Sequence, residues 1–150
     1  MTIARAHLVD PTVSRWYHCI TRCVRRAFLL SEGEQERKQW IETRLRELAE
    51  IFAVSVGGFS VLDNHLHVLV RLDPEVVQGW TAEDVVRRRG RLFPPRDKAR
   101  QPLAVSDEWV QRHSMNGVWV ARARQRLKSL SWFVALALPD RGPAPARFVA

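Results

Sequence analysis

His65 and His67 are the two side chains whose types and spacing are best suited to chemistry. They lie in Val61-Leu-Asp-Asn-His-Leu-His-Val-Leu-Val70, where a short polar turn feeds an apolar run. Strand side chains alternate between faces, so Leu66, Val68, Val70 and Leu72 can enter a core while His65, His67, Leu69 and Arg71 share the other face. Imidazoles at i and i+2 then stand side by side, and their neutral ring nitrogens can converge on one divalent ion. The competing reading of a bare His-x-His is two ordinary strand histidines, so the surrounding sequence has to decide.

The elements that would carry this pair can be read along the chain. Residues 15–23 form the first predicted strand, with Trp16, His18, Ile20 and Arg22 on one face and Tyr17, Cys19 and Thr21 on the other. Ser31-Glu-Gly-Glu34 has the Ser-x-x-Glu form of a capping box, and Ile41, Leu45, Leu48 and Phe52 recur at helical spacing, which predicts a helix of about 20 residues running to Ala53. Val54 to Leu62 reads as a second strand, weakened at Gly57-Gly58, and Asp63-Asn64 suits a two-residue hairpin turn into the histidine strand. Beyond Asp73-Pro74, Thr81-Ala-Glu-Asp84 opens a short helix expected to end near Gly90. Pro94, Pro95 and Pro102 make a loop, Ser106-Asp-Glu opens another short helix, and Val118 to Leu138 reads as one helix stopped by Pro139. The order β, α, β, β, α, α predicts an α+β chain, an antiparallel sheet backed by helices.

Composition narrows the class. The chain has 150 residues, enough for one domain with a sizeable core, and 27% charged side chains, which is ordinary for a globule. No apolar run approaches the roughly 20 residues needed to span a bilayer, and Met1-Thr-Ile-Ala-Arg-Ala-His lacks the apolar segment of a signal peptide. A cytoplasmic protein with no membrane partner is expected. Cys19 and Cys23 are too few for a disulfide framework and are read as small reduced hydrophobes. The net charge is +8, and its distribution matters more than its size: residues 1–80 hold 10 basic and 10 acidic side chains, residues 81–128 hold 12 and 5. Such a local surplus is a footprint for a polyanion, with Arg87, Arg88, Arg89, Arg122 and Arg126 as candidate phosphate contacts. Its alternative is a solvated basic face. Trp80, Trp109 and Trp119 lie among these segments, where they could stack unpaired bases or pack between helices.

Four stretches carry a family likeness: Tyr17-His-Cys-Ile-Thr-Arg-Cys-Val-Arg-Arg-Ala-Phe-Leu29; Arg37-Lys-Gln-Trp-Ile-Glu42 running into Leu48-Ala-Glu-Ile-Phe-Ala53; Val61-Leu-Asp-Asn-His-Leu-His67; and Arg126-Leu-Lys-Ser-Leu-Ser-Trp-Phe133. In this order they resemble the HUH single-tyrosine transposases, most closely the REP-associated branch, with His65, Leu66 and His67 as the histidine, hydrophobic, histidine triplet. The resemblance implies a ferredoxin-like fold with the motif on a central strand, and single-stranded or hairpin DNA as partner. It also implies Mg²⁺ or Mn²⁺ as a weakly held cofactor on His65 and His67, with Mn²⁺ the better match for imidazole. His18 is the local candidate for a third ligand, because the first strand could pair beside the histidine strand. Arg22, Arg25 and Arg26 fall where the family likeness puts side chains close to nucleic acid.

One departure bears on activity. Relatives attack DNA with a tyrosine on a helix downstream of the motif, whereas the sole tyrosine here, Tyr17, precedes it and is an unlikely nucleophile. The likeness fades after about Phe133, so residues 1–138 are read as a C-terminally incomplete transposase-like domain and residues 139–150 as an unrelated or disordered tail. The expectation is a DNA-binding member of that family, impaired in strand cleavage and joining. A non-catalytic hairpin-binding module or repressor is the first alternative, and a small metal-dependent hydrolase the second.

Overall fold

Alternating apolar residues make the strands one-sided, and the computed structural model, which describes residues 9–22, 34–62, 65–137 and 147–149, shows what covers their apolar side. The elements run β1 (Trp16–Arg22), α1 (Glu34–Ile51), β2 (Val54–Val61), β3 (His65–Leu72), a single-turn 3₁₀ helix (Val76–Gly79), α2 (Ala82–Leu92), α3 (Asp107–Ser114), α4 (Gly117–Leu127), α5 (Leu130–Ala137) and β4 (Arg147–Val149). The sheet order is β2-β3-β1-β4 with every neighbouring pair antiparallel. This is the ferredoxin-like order, with a 3₁₀ helix and four α-helices among the described residues in place of one helix between β3 and β4, and the histidine motif lies on a central strand. Tyr17 and Cys19 of β1 and Leu66, Val68, Val70 and Leu72 of β3 are buried in one cluster with Ile41, Leu45 and Leu48 of α1 and Leu127, Leu130 and Phe133 of α4 and α5. Phe52 meets Phe133 edge to face at 5.7 Å between ring centres. Among the described residues no helix is long and apolar enough to cross a membrane.

Several local expectations are corrected. The helix predicted over 118–138 is two helices, because the Leu127 carbonyl accepts from the Ala53 amide at 2.9 Å instead of from its own helix. Ser129 then restarts the chain: its carbonyl accepts from Phe133 N–H and its hydroxyl from Trp132 N–H at 3.4 Å. Gly90 does not end α2. The helix continues to Leu92, and Gly90 is there for space, since a Cβ at this position would stand 2.8 Å from Val105 Cγ2 and 3.2 Å from the Trp109 ring. Part of residues 139–150, read from sequence as a tail, forms β4, which pairs His18 with Val149 and Ile20 with Arg147. The Ser31 cap and the Asp63-Asn64 turn lie outside the described residues, although the Leu62 amide donates to the His65 carbonyl at 2.8 Å across that turn.

The cap on α2 is as predicted and complete. Thr81 Oγ1 accepts from Asp84 N–H at 3.1 Å, while the Asp84 carboxylate accepts from Thr81 N–H at 2.8 Å. Hydrogen bonds from the Thr81 backbone and hydroxyl hold the Asp84 carboxyl below its ordinary range. The depressed pKa means the cap's contribution is present above the usual carboxylate range and is lost as pH falls through the folded value. Thr81→Ala should lower stability by about 1 kcal/mol at neutral pH, and by less in acid, in urea melts followed by circular dichroism.

Candidate functional site

Pairing between β1 and β3 determines which side chains meet. Ile20 lies opposite His67 and His18 opposite Leu69, so His18, His65 and His67 emerge on the sheet face away from the core. His18 Nε2 and His67 Nδ1 are 2.9 Å apart, with the two ring centres 5.0 Å apart. One nitrogen must donate and the other accept, so a single proton is shared across this contact. The His65 ring stands beside His67 at 6.3 Å between centres. All three rings are half-buried, accessible yet held by the sheet.

Neutral imidazole nitrogens suit a transition-type divalent ion, and a separation of 2.9 Å is close to the roughly 3 Å between neighbouring ligands of an octahedral ion with bonds near 2.1 Å. The His18 and His67 nitrogens are spaced as two neighbouring ligands of such an ion would be, a donor set that matches Mn²⁺ better than Mg²⁺, with His65 alongside. Among the described residues no group of three or more histidine, cysteine, aspartate or glutamate side chains is placed so that it could hold a metal ion. Asp73, just past the far end of β3, is engaged elsewhere: it accepts from Ser55 Oγ at 2.7 Å and pairs with Arg71 Nε at 2.9 Å.

The same face carries a feature that sequence reading left unused. Trp16 is 43% exposed and brings the edge of its ring against Gly57, where a Cβ would come within 2.6 Å of it, with the Arg71 guanidinium 5.8 Å from the ring centre. The β-bulge between Val56 and Gly58 belongs to this packing. Alternation already put Trp16 beside His18, and the apparent strand weakness at Gly57-Gly58 was the signal for a close approach. Leu69, 42% exposed, continues the face.

Tyr17 and Cys19 take the other side of β1. Tyr17 is buried and its hydroxyl donates to the Ser14 carbonyl at 2.6 Å; burial raises its pKa. Burial pushes the Cys19 thiol up to about 12, so it stays a protonated core residue.

The arginines expected to contact DNA are engaged in different ways. Arg87, Arg88 and Arg89 are consecutive on α2 and so point in three directions. Arg87 pairs with Asp107 at 2.6 Å on the surface. Arg88 donates to the Glu50 and Ile51 carbonyls at the end of α1 and lies over the Trp80 ring at 4.1 Å, which gives it a structural task. Arg89 stacks on Phe93 at 3.6 Å and Arg126 on Trp132 at 4.6 Å, while Arg122 is exposed. Arg25 and Arg26 lie outside the described residues, as does the side chain of Arg22. Trp109 and Trp119 pack edge to face at 6.3 Å, with His113 between the helices. A scan against protein-family models finds no match to this chain, and a search of curated proteins finds no relative.

Proposed function

We propose that this chain is a DNA-binding protein of the single-tyrosine HUH transposase type, which engages single-stranded or hairpin DNA and is impaired in cutting and joining it. The observation that carries the reading is the approach of His18 Nε2 to His67 Nδ1 at 2.9 Å on the accessible sheet face, beside His65. His65 and His67, with His18, would hold Mg²⁺ or Mn²⁺, which when bound polarises a phosphodiester. The protein's own part is to orient these rings on two paired strands and to present Trp16, Leu69 and Arg71 along the same face to an unpaired strand. The basic surplus over residues 81–128 supports a polyanionic partner, and Arg122, exposed and outside any ion pair among the described residues, is its clearest surface contact. The second reading, a hairpin-binding module without chemistry, is favoured by Tyr17 lying buried on the opposite face.

Labelled hairpin DNA tests this reading. Binding should be tighter to hairpin or single-stranded DNA than to blunt duplex of equal length, with log affinity falling linearly in log salt. Arg122→Ala should flatten that line by about 0.7 units, whereas Arg88→Ala should destabilise the fold and leave the slope unchanged. Equal affinity for duplex and hairpin, or no salt dependence, would remove the proposal.

A further inference from the structure

The helical side of the molecule holds a pair of cations with no counter-charge. Arg89 of α2 has its Nη1 fully covered and without a hydrogen-bond partner, the one such buried side-chain atom among the described residues. Its guanidinium lies 3.6 Å from the centre of the Phe93 ring. Arg126 of α4 lies 4.6 Å from the centre of Trp132, and the two rings meet edge to face at 6.3 Å. Two guanidinium groups thus flank one aromatic pair. Burial, and secondarily the charge of Arg126, pull the Arg89 pKa down to about 10.

This arrangement costs the folded protein something. A covered guanidinium nitrogen without an acceptor is unfavourable, and a second cation beside it adds repulsion. Elsewhere on α2 Arg87 is neutralised by Asp107 and Arg91 by Glu50, while Arg88 places its donors on the Glu50 and Ile51 carbonyls. Neither Arg89 nor Arg126 has a carboxylate partner among the described residues. Stacking on an aromatic ring holds a guanidinium in place without using its donors.

We infer that Arg89 and Arg126, held on Phe93 and Trp132, form a phosphate-binding site. Two planar forks suit the several oxygens of a phosphate group better than a single carboxylate, and two positive charges favour a dianion or a polyanion. Phe93, 41% exposed, leaves a ring edge beside the site for a base attached to that phosphate. The site lies on the helical layer, across the sheet from His18, His65 and His67. It rests on the nucleic-acid reading above only for the source of the phosphate.

Thermal melting of the full chain in sodium phosphate, against sodium chloride of equal ionic strength, tests the site directly. The wild-type midpoint should climb with phosphate concentration as expected for a ligand that binds the native state alone. Arg126→Gln and Arg89→Met should abolish the climb. Arg89→Met keeps the stack on Phe93 and removes the unpaired donor, so its midpoint in chloride should be no lower than wild type, and the half-buried Arg126→Gln carries the test if that variant misfolds. The His65→Ala, His67→Ala double variant should climb like wild type, which separates failure here from failure of the histidine site. No climb in wild type, or the same climb in all variants, overturns the inference. With a single-stranded oligonucleotide, each arginine variant should flatten the salt dependence by about 0.7 units. An unchanged slope with the phosphate response intact assigns the site to a free phosphate ester instead.

Discussion

Titrated with Mn²⁺, the wild-type protein should take up one ion weakly, and His67→Ala should abolish that binding. His67 is the ring that the other two share: its Nδ1 lies 2.9 Å from His18 Nε2, and its centre is 6.3 Å from that of His65. Replacing it leaves two rings on opposite sides of a gap. The loss should exceed the roughly 10–100-fold that follows removal of an outer-shell partner, because a ligand and not its support is gone. His65→Ala should also abolish binding, and His18→Ala should weaken it. An ion that uses His67 Nδ1 must displace the proton held between it and His18 Nε2, which the donor ring can carry on its other nitrogen. Calorimetry would register the uptake, and paramagnetic broadening of the histidine resonances would locate the ion. Equal uptake by wild type and by the His65→Ala, His67→Ala double variant would leave these residues as ordinary strand histidines.

What the sequence disclosed about this site came from period-two alternation, and what it withheld came from contacts between distant segments. Leu66, Val68, Val70 and Leu72 against His65, His67, Leu69 and Arg71 is a pattern written in eight consecutive residues, and the structure has it as read. The same holds for Tyr17 and His18 on opposite faces of β1. The break between α4 and α5 had one local signal, the cap-favouring Ser129 after Lys128, but what ends α4 is a hydrogen bond from distant Ala53 to the Leu127 carbonyl. Gly90 looked like a stop because glycine is enriched at helix ends, yet the reason for it is Val105 and Trp109, 15 and 19 positions on. Arg87-Arg88-Arg89 reads as one basic patch in a line of text. On a helix it becomes a surface ion pair, a cap on α1 and a stacked, unpartnered cation, three different roles that only the neighbouring elements assign.

Labelled hairpin DNA incubated with this protein and Mn²⁺ should yield no protein-linked band on a denaturing gel. A phosphotyrosine link needs a hydroxyl in line with the scissile phosphate and able to lose its proton. Tyr17 fails on both counts. Its ring is 1% exposed on the core side of β1, its hydroxyl is committed to the Ser14 carbonyl at 2.6 Å, and burial raises its pKa, which works against the phenolate. Bringing it to the histidine face would require β1 to slip by one residue against β3, which would also expose Cys19 and bury His18. Side-chain rotation cannot substitute for that slip, since Tyr17 stands opposite Val70 on the wrong side of the sheet. Tyr17→Phe should therefore leave hairpin affinity unchanged and cost only about 1 kcal/mol of stability, the net worth of one hydrogen bond to a backbone carbonyl. A protein-linked band in wild type that disappears in Tyr17→Phe would overturn this, and with it the assignment of β1's outward face to the histidines.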